Sequence, residues 1–310
     1  MRIVSLLPST TEILFALGAG DDVVGVTFEC DEPLEARSRR IVSTSALPTG
    51  LGPAEIDRVV AELMHAGEDL YHLDAGALAD LDADLVVTQD LCAVCAVDVS
   101  VVDEALAHLG CRAEVLTIDP HSLEDVLESV VTLGKATGRE ARARAIVARQ
   151  QTRLRTVEAA VATGRPVRAL VLEWTDPPFA PGHWVPEMVT RAGGLNVIGT
   201  PRAKSVRVTW EQALAGSPEV VVAAPCGYHL DDASALTTTL VEQGILPTDV
   251  PVWAVDANAS FARPGPRLVD GVEALAAIFH PDLVGEPDPA IARRIVCGPP
   301  PRRRGRPSGG

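Results

Sequence analysis

The chain has 310 residues, 47% of them hydrophobic, and a formal net charge of -15. That length exceeds the usual size of a single core, so two domains of ordinary length are expected. The acidic balance argues against a nucleic-acid or anionic-membrane surface, which needs clustered Lys and Arg, and no apolar run reaches the roughly 18 to 20 residues of a membrane helix.

Taken in chain order, Met1-Arg2-Ile3-Val4-Ser5-Leu6-Leu7 reads as a first core strand rather than a secretory signal, which leads us to expect a cytoplasmic protein. Ser9-Thr10-Thr11-Glu12 matches a capping box, with Ser9 placed to cap a helix that ends near Gly18. The first half then predicts strand (Arg2 to Leu7), helix (Thr10 to Leu17), short strand (Val23 to Thr27), an inserted helical stretch (Pro53 to Ala66), strand (Leu85 to Gln89), helix (Val99 to Leu109) and strand (Ala113 to Ile118). The second half repeats that order: strand (Val167 to Glu173), helix (Val185 to Ala192), strand (Val220 to Ala224), helix (Ser234 to Gln243) and strand (Val252 to Val255), its short second strand weak or lost. Between them, 122–162 has helical spacing of Leu, Val and Ile, with a break allowed around Gly134, Gly138 and Arg139-Glu140. The pattern predicts an α/β protein of two Rossmann-like parallel-sheet lobes, 1–120 and 165–298, joined by a long helical spar, 121–164, with a ligand cleft between the lobes. The basic run Pro301 to Pro307 lies in a Pro/Gly tail, 299–310, expected to be disordered.

Three of the strands run into cysteine, at Cys30, at Cys92 and Cys95, and at Cys226. Ligands of open α/β sheets bind beyond the carboxyl ends of strands, so these thiols stand where recognition chemistry sits. A reducing compartment disfavours disulfides and leaves them free for a soft metal or a metal cluster. The other reading is that they are small buried hydrophobes, the usual fate of free cysteine; Cys111 and Cys297 are assigned to packing and tail. A lone C-x-x-C at Cys92 and Cys95 also leaves room for a redox thiol enzyme, although the residues after Cys95 make a poor helix start. No Walker loop, G-x-G-x-x-G, H-E-x-x-H or G-x-S-x-G occurs, and catalysis has no motif behind it.

The opening Arg2-Ile-Val-Ser-Leu-Leu-Pro-Ser-Thr-Thr-Glu-Ile-Leu-Phe-Ala-Leu-Gly-Ala-Gly, with Asp84-Leu85-Val86-Val87, Trp210-Glu211-Gln212-Ala213-Leu214 and Phe261-Ala262-Arg263-Pro264-Gly265-Pro266-Arg267, resembles the helical-backbone substrate-binding proteins of ABC importers for vitamin B12 and iron-siderophore complexes. Within that group the chain is most similar to the cobalamin-binding proteins. The resemblance implies a non-catalytic protein that takes cobalamin, a related corrinoid or another metal chelate between its lobes. Carried over by position, it points to Glu29 and Cys30, to Gln89 and Asp90, to Trp174, Phe179, His183 and Trp184, and to Phe261 with Arg263. Aromatic faces suit a flat corrin ring and a guanidinium suits its amides or phosphate. Any of the aromatics could equally be core packing, and a sulfur or imidazole could approach cobalt or hold a separate thiolate-bound metal through Cys30, Cys92, Cys95 and Cys226. Family members that dock on a permease present one exposed glutamate per lobe. Glu211 matches the second, whereas Asp74-Ala75-Gly76-Ala77-Leu78 has a small residue at the first, so permease docking is in doubt.

Overall fold

Runs such as Ile3-Val4-Ser5 and Leu85-Val86-Val87-Thr88 put apolar side chains on both faces of a strand, because successive residues point to opposite sides. Such strands require a sheet covered above and below. The computed structural model, which describes residues 1–66, 68, 70–89, 113–247 and 249–295, supplies that cover in two lobes. The first runs β1 (Ile3–Ser5), α1 (Pro8–Ala16), β2 (Val23–Val26), β3 (Arg40–Ile41), β4 (Ser43–Ser45), α2 (Pro53–Ala66), β5 (Tyr71–Leu73), α3 (Ala75–Ala79), β6 (Leu85–Thr88) and β7 (Glu114–Thr117). Its parallel sheet has the order β3-β2-β1-β6-β7, while β4 and β5 pair separately and antiparallel. Ile3, Leu85 and Val87 face Leu14, Leu17 and Leu133 on one side; Val4 and Val86 face Leu78 and Leu81 on the other.

Two helices, α4 (Leu123–Ala136) and α5 (Glu140–Val161), lead to the second lobe. It contains β8 (Val167–Leu172), β9 (Trp174–Thr175), β10 (Pro178–Ala180), α6 (Val185–Arg191), β11 (Gly194–Asn196), β12 (Val206–Arg207), α7 (Trp210–Ala215), β13 (Val220–Ala223), α8 (Leu230–Glu242), β14 (Val252–Val255), α9 (Ala257–Ser260), α10 (Leu268–Phe279), α11 (Pro281–Val284) and β15 (Ala292–Ile295). The main sheet has the order β11-β8-β13-β14-β15, parallel except for the β15 edge, and β12-β10-β9 form a small sheet of their own. Ala169 and Val171 face α6 and α10, and Leu170 and Leu172 the opposite side with Leu240 and Leu246.

The structure revises several sequence expectations. Ser9 caps nothing: α1 begins at Pro8 with Leu7 as its N-cap and no side-chain cap, because proline is pre-organised for the first helical position. Ser9 lies buried inside the helix, while the Thr10 and Thr11 hydroxyls donate to Leu7 O at 3.1 and 3.0 Å. The second lobe has not lost its short strand: β11 pairs in parallel with β8, as β2 does with β1. The antiparallel edge β15 and the apolar helix α10 were not foreseen. The predicted helix from Val99 to Leu109 and the basic tail lie outside the described residues.

The spar is a helical hairpin. Gly138, at φ +68°, turns the chain where only glycine is at ease, and α5 runs back for 22 residues, about 33 Å. The hairpin feeds both cores: Val130, Leu133 and Ala143 pack in the first lobe, Leu123, Val126, Leu154 and Val157 in the second. At the crossing, a Cβ built on Gly134 would stand 2.4 Å from Ala143 Cβ. Alanine inside a helix is normally worth about 1 kcal/mol over glycine. Here overpacking reverses the sign, and Gly134→Ala is expected to destabilise by about 1–3 kcal/mol in urea unfolding. A neutral or stabilising result would mean that the helices cross less closely.

Candidate functional site

The segments that follow the strands of the two lobes meet at the junction between them. On the first lobe, β2 leads into Thr27-Phe28-Glu29-Cys30-Asp31. The Phe28 ring lies 5.9 Å from that of Tyr71, and the Tyr71 hydroxyl donates to Glu29 Oε2 at 3.1 Å. Burial pushes the Glu29 carboxyl above its ordinary range, opposed by the Tyr71 bond and by Arg263. Gln89, at the end of β6, is buried.

On the second lobe, β8 ends in Glu173-Trp174. The Trp174 ring lies 5.6 Å from Tyr228, which follows β13, and the β9–β10 register sets Phe179 opposite Trp174. Arg207 of β12 stands over the Phe179 ring at 6.0 Å. The first lobe thus exposes Phe28 against a Tyr71 that is itself buried in the core, and the second sets Trp174 and Tyr228 side by side beside its strand ends.

Arg263 ties the lobes together. Its guanidinium donates to Glu12 Oε1 at 3.1 Å, to Asp31 Oδ1 at 2.5 Å and to Glu29 O at 3.2 Å. Arg267 adds two bonds to the Glu12 carboxylate, at 2.8 and 2.6 Å. His229 stands between Asp31, at 3.5 Å, and Asp256, at 3.2 Å, with Asn258 on its Nε2 at 3.1 Å. The Arg263 bond and charge hold the Asp31 carboxyl below its usual range even against burial.

The residues singled out from the sequence therefore divide. Glu29, Gln89, Trp174 and Phe179 lie at or beside the strand ends. Arg263 is also there, but its side chain is only 9% exposed and its guanidinium is occupied by first-lobe acceptors, so it spans the lobes instead of projecting from one of them. Trp184 and Phe261 belong to the second-lobe core, with Trp184 Nε1 donating to Phe261 O at 2.7 Å, so neither offers a ring face to a ligand. His183 packs against Trp184 and against His121 at the start of the spar; its Nε2 is buried without a partner, and burial lowers its imidazole pKa. Asp90, Cys92 and Cys95 lie outside the described residues.

The cysteine expectation is corrected at Cys30. Its thiol is buried in the first-lobe core beside Thr11 Oγ1, at 3.0 Å, and burial pushes its pKa up to about 12, which disfavours the thiolate a metal needs. Cys226 is exposed, and among the described residues no three His, Cys, Asp or Glu side chains are placed to hold a metal ion. Sequence reasoning passed over Phe28, Tyr71, Tyr228, Asp31 and Glu12. A usable signal existed: the chain has only two tyrosines, and both stand at this junction.

A cavity of about 1020 Å³ lies on the spar side, lined among others by Phe15, Arg39, Arg149 and Arg153, and it shares Glu12 and Arg267 with the ionic cluster. Glu211 is exposed in the first turn of α7, whose N-terminus is closed by a Thr209–Gln212 capping box. On the first lobe Asp74 caps α3 by accepting from Ala77 N at 2.9 Å.

Two α/β lobes on a helical spar, with ligand-type side chains where their strand ends meet, define a bilobed binding protein. Residues 3–254 match the family of periplasmic binding proteins, and the chain belongs to it. It is 24% identical over 292 residues to a vitamin B12-binding protein of Vibrio cholerae, covering 88% of this chain and 86% of that protein. It is 26% identical over 300 residues to an uncharacterized ABC transporter substrate-binding lipoprotein of Bacillus subtilis, covering 92% and 82%. Among solved structures the fold is shared with the periplasmic vitamin B12 binding protein BtuF of V. cholerae (TM-score 0.63, 22% identity, 90% and 96% covered). It is shared too with a periplasmic heme binding protein from Pseudomonas aeruginosa (TM-score 0.69, 22% identity, 94% and 96% covered).

Two measurements probe the junction. Glu173 is half-buried, takes a hydrogen bond from Ser205 and has its pKa raised from 4.5 to about 7, chiefly by desolvation. Because the folded value lies above the unfolded one, the fold holds the neutral acid without penalty below about pH 4.5 and loses stability as pH rises to about 7. Glu173→Gln is expected to flatten that loss, gaining roughly 3 kcal/mol over the native chain at pH 8 and little at pH 4.5 in chemical unfolding. Replacing Arg263 by Met takes the close guanidinium from Asp31 and leaves Glu12 to Arg267 alone, and is expected to cost about 3–5 kcal/mol, whereas breaking a fully exposed pair such as Arg144–Glu140 is expected to change stability little. Equal, small effects at the two sites would show that Arg263 is not the tie.

Proposed function

We propose that this chain is a non-catalytic binding protein that takes cobalamin or a related corrinoid between its lobes. The observation that carries this reading is the set of aromatic rings beside the strand ends of opposite lobes: Phe28, backed by the buried Tyr71 at 5.9 Å, on the first, and Trp174 with Tyr228, at 5.6 Å, on the second. Aromatic side chains suit a flat macrocycle, and the polar groups between them, Glu29, Gln89 and His229, suit an amide-bearing rim. The description of the V. cholerae relative as a vitamin B12-binding protein supports the same ligand. The second reading is haem, in keeping with the description of the P. aeruginosa neighbour as heme binding. Delivery to a permease, if the chain has that role, would rest on the exposed Glu211, with no matching glutamate in the stretch Asp74–Leu78.

The test is equilibrium titration of the full chain with hydroxocobalamin and, separately, with haemin. A single saturable site for hydroxocobalamin, weakened at least tenfold in a Trp174→Ala variant, is the expected result. Tight haemin binding with none for the corrinoid would favour the second reading, and failure of both ligands would remove the proposal.

A further inference from the structure

Helix α2 is the inserted element of the first lobe, and its attachment is unusual. Its apolar residues recur at helical spacing, and Val60 and Leu63 turn toward the first-lobe core. Yet none of its 14 residues is buried. An amphipathic helix held by its own lobe alone would bury that stripe. Its stripe is only half-buried, and two bonds to the other lobe add to that hold. The Asp57 carboxylate pairs with the Arg207 guanidinium of β12, and the Pro53 carbonyl accepts from the Trp174 indole at 3.3 Å. Pro53 and Asp57 lie one turn apart on the same face, and Met64, 51% exposed, lies about two turns beyond Asp57 on that face.

We propose that α2 is a latched lid on the interlobe cleft, held shut by the Asp57–Arg207 pair, and that ligand enters and leaves when this pair opens. The inference rests on the binding reading above. A lid must open without unfolding its lobe, and the latch is half open to solvent, its arginine 55% and its aspartate 15% exposed, so it is weaker than a buried pair and able to open on its own. Because Arg207 also stands over Phe179, closing the lid sets one aromatic wall of the site. The latch closes the same helix over an empty or a filled cleft. Breaking it therefore speeds entry and exit together, whereas losing a ligand contact speeds exit alone.

Stopped-flow binding of hydroxocobalamin and of haemin to the full chain reads this directly. Asp57→Asn is expected to raise both rate constants about two- to fivefold and to leave Kd within about twofold. The charge swap Asp57→Arg with Arg207→Asp, which remakes the latch but takes the guanidinium from Phe179, is expected to restore the native association rate. In the native chain both rates should rise with salt, which screens an exposed pair, and in Asp57→Asn they should not. A rise in dissociation alone would make α2 a contact wall and overturn the latch, as would rates that do not change. Hydrogen exchange of 53–66 in the ligand-free chain separates this proposal from the ligand assignment. Faster exchange in Asp57→Asn, reversed by the swap, supports the latch even where neither probe binds, and unchanged exchange overturns it whatever binds.

Discussion

The arrangement of the two lobes depends on one buried ionic contact, that of Arg263 with Glu12 and Asp31. The partners lie 251 and 232 positions apart in sequence, so the contact forms only when both lobes are folded and docked. Burying a guanidinium and two carboxylates costs several kcal/mol per ion, offset only where geometry and hydrogen bonding are good. Here both nitrogens of the fork are used, one on the two carboxylates and the other on the Glu29 carbonyl, and Arg267 completes the Glu12 carboxylate. A planar, always charged fork fits that set where the point charge of a lysine would not. The same bonds fix the loop that carries Phe28, Glu29 and Asp31, so the tie between the lobes also shapes half of the site.

The spar supplies a second fixed line. Because the α4–α5 hairpin contributes side chains to the cores of both lobes, bending between them would expose apolar surface as well as break the ionic tie. Rigid closure about a hinge is therefore disfavoured, which is why the proposed motion is placed in α2, a helix with no fully buried residue. Neither helix of the spar is replaceable by a flexible linker on this account, since each is part of two cores at once.

Much of this was legible in the sequence, for reasons that differ by residue. The strands β1, β6, β8, β13 and β14 announce themselves because each is an apolar run that only a doubly covered sheet can bury, and α2 was bounded correctly by its spacing and its leading proline. β11 was not legible, since Gly194-Leu195-Asn196 has no strand pattern and is held by its pairing with β8. Trp184 and Phe261 were read with the cleft because a loop tryptophan and a post-strand phenylalanine look alike in sequence whether they face a ligand or a core. Their burial is decided by α10 and the spar, which pack from distant parts of the chain. Arg263 was found for its charge but not for its role, because Glu12 reads locally as part of a helix start and Asp31 as a loop acid.

The charges that remain at the junction bear on which macrocycle suits it. Haem brings two propionates, which need cations. Arg263 and Arg267 already serve Glu12 and Asp31, Arg207 pairs with Asp57, Asp31 and Asp256 surround His229, and Glu173 stands half-buried next to Trp174. An added carboxylate would meet several acids at close range, and like charges in a partly desolvated site repel strongly. A corrinoid instead presents neutral amides around its ring and a single phosphate. A carboxyl held toward its neutral form, as burial holds Glu29 and Glu173, can donate as well as accept a hydrogen bond, which matches amide groups better than it matches carboxylates. These charges support the amide-rimmed ligand of the proposed function over an anionic one, on a ground separate from the aromatic contacts that either macrocycle could use.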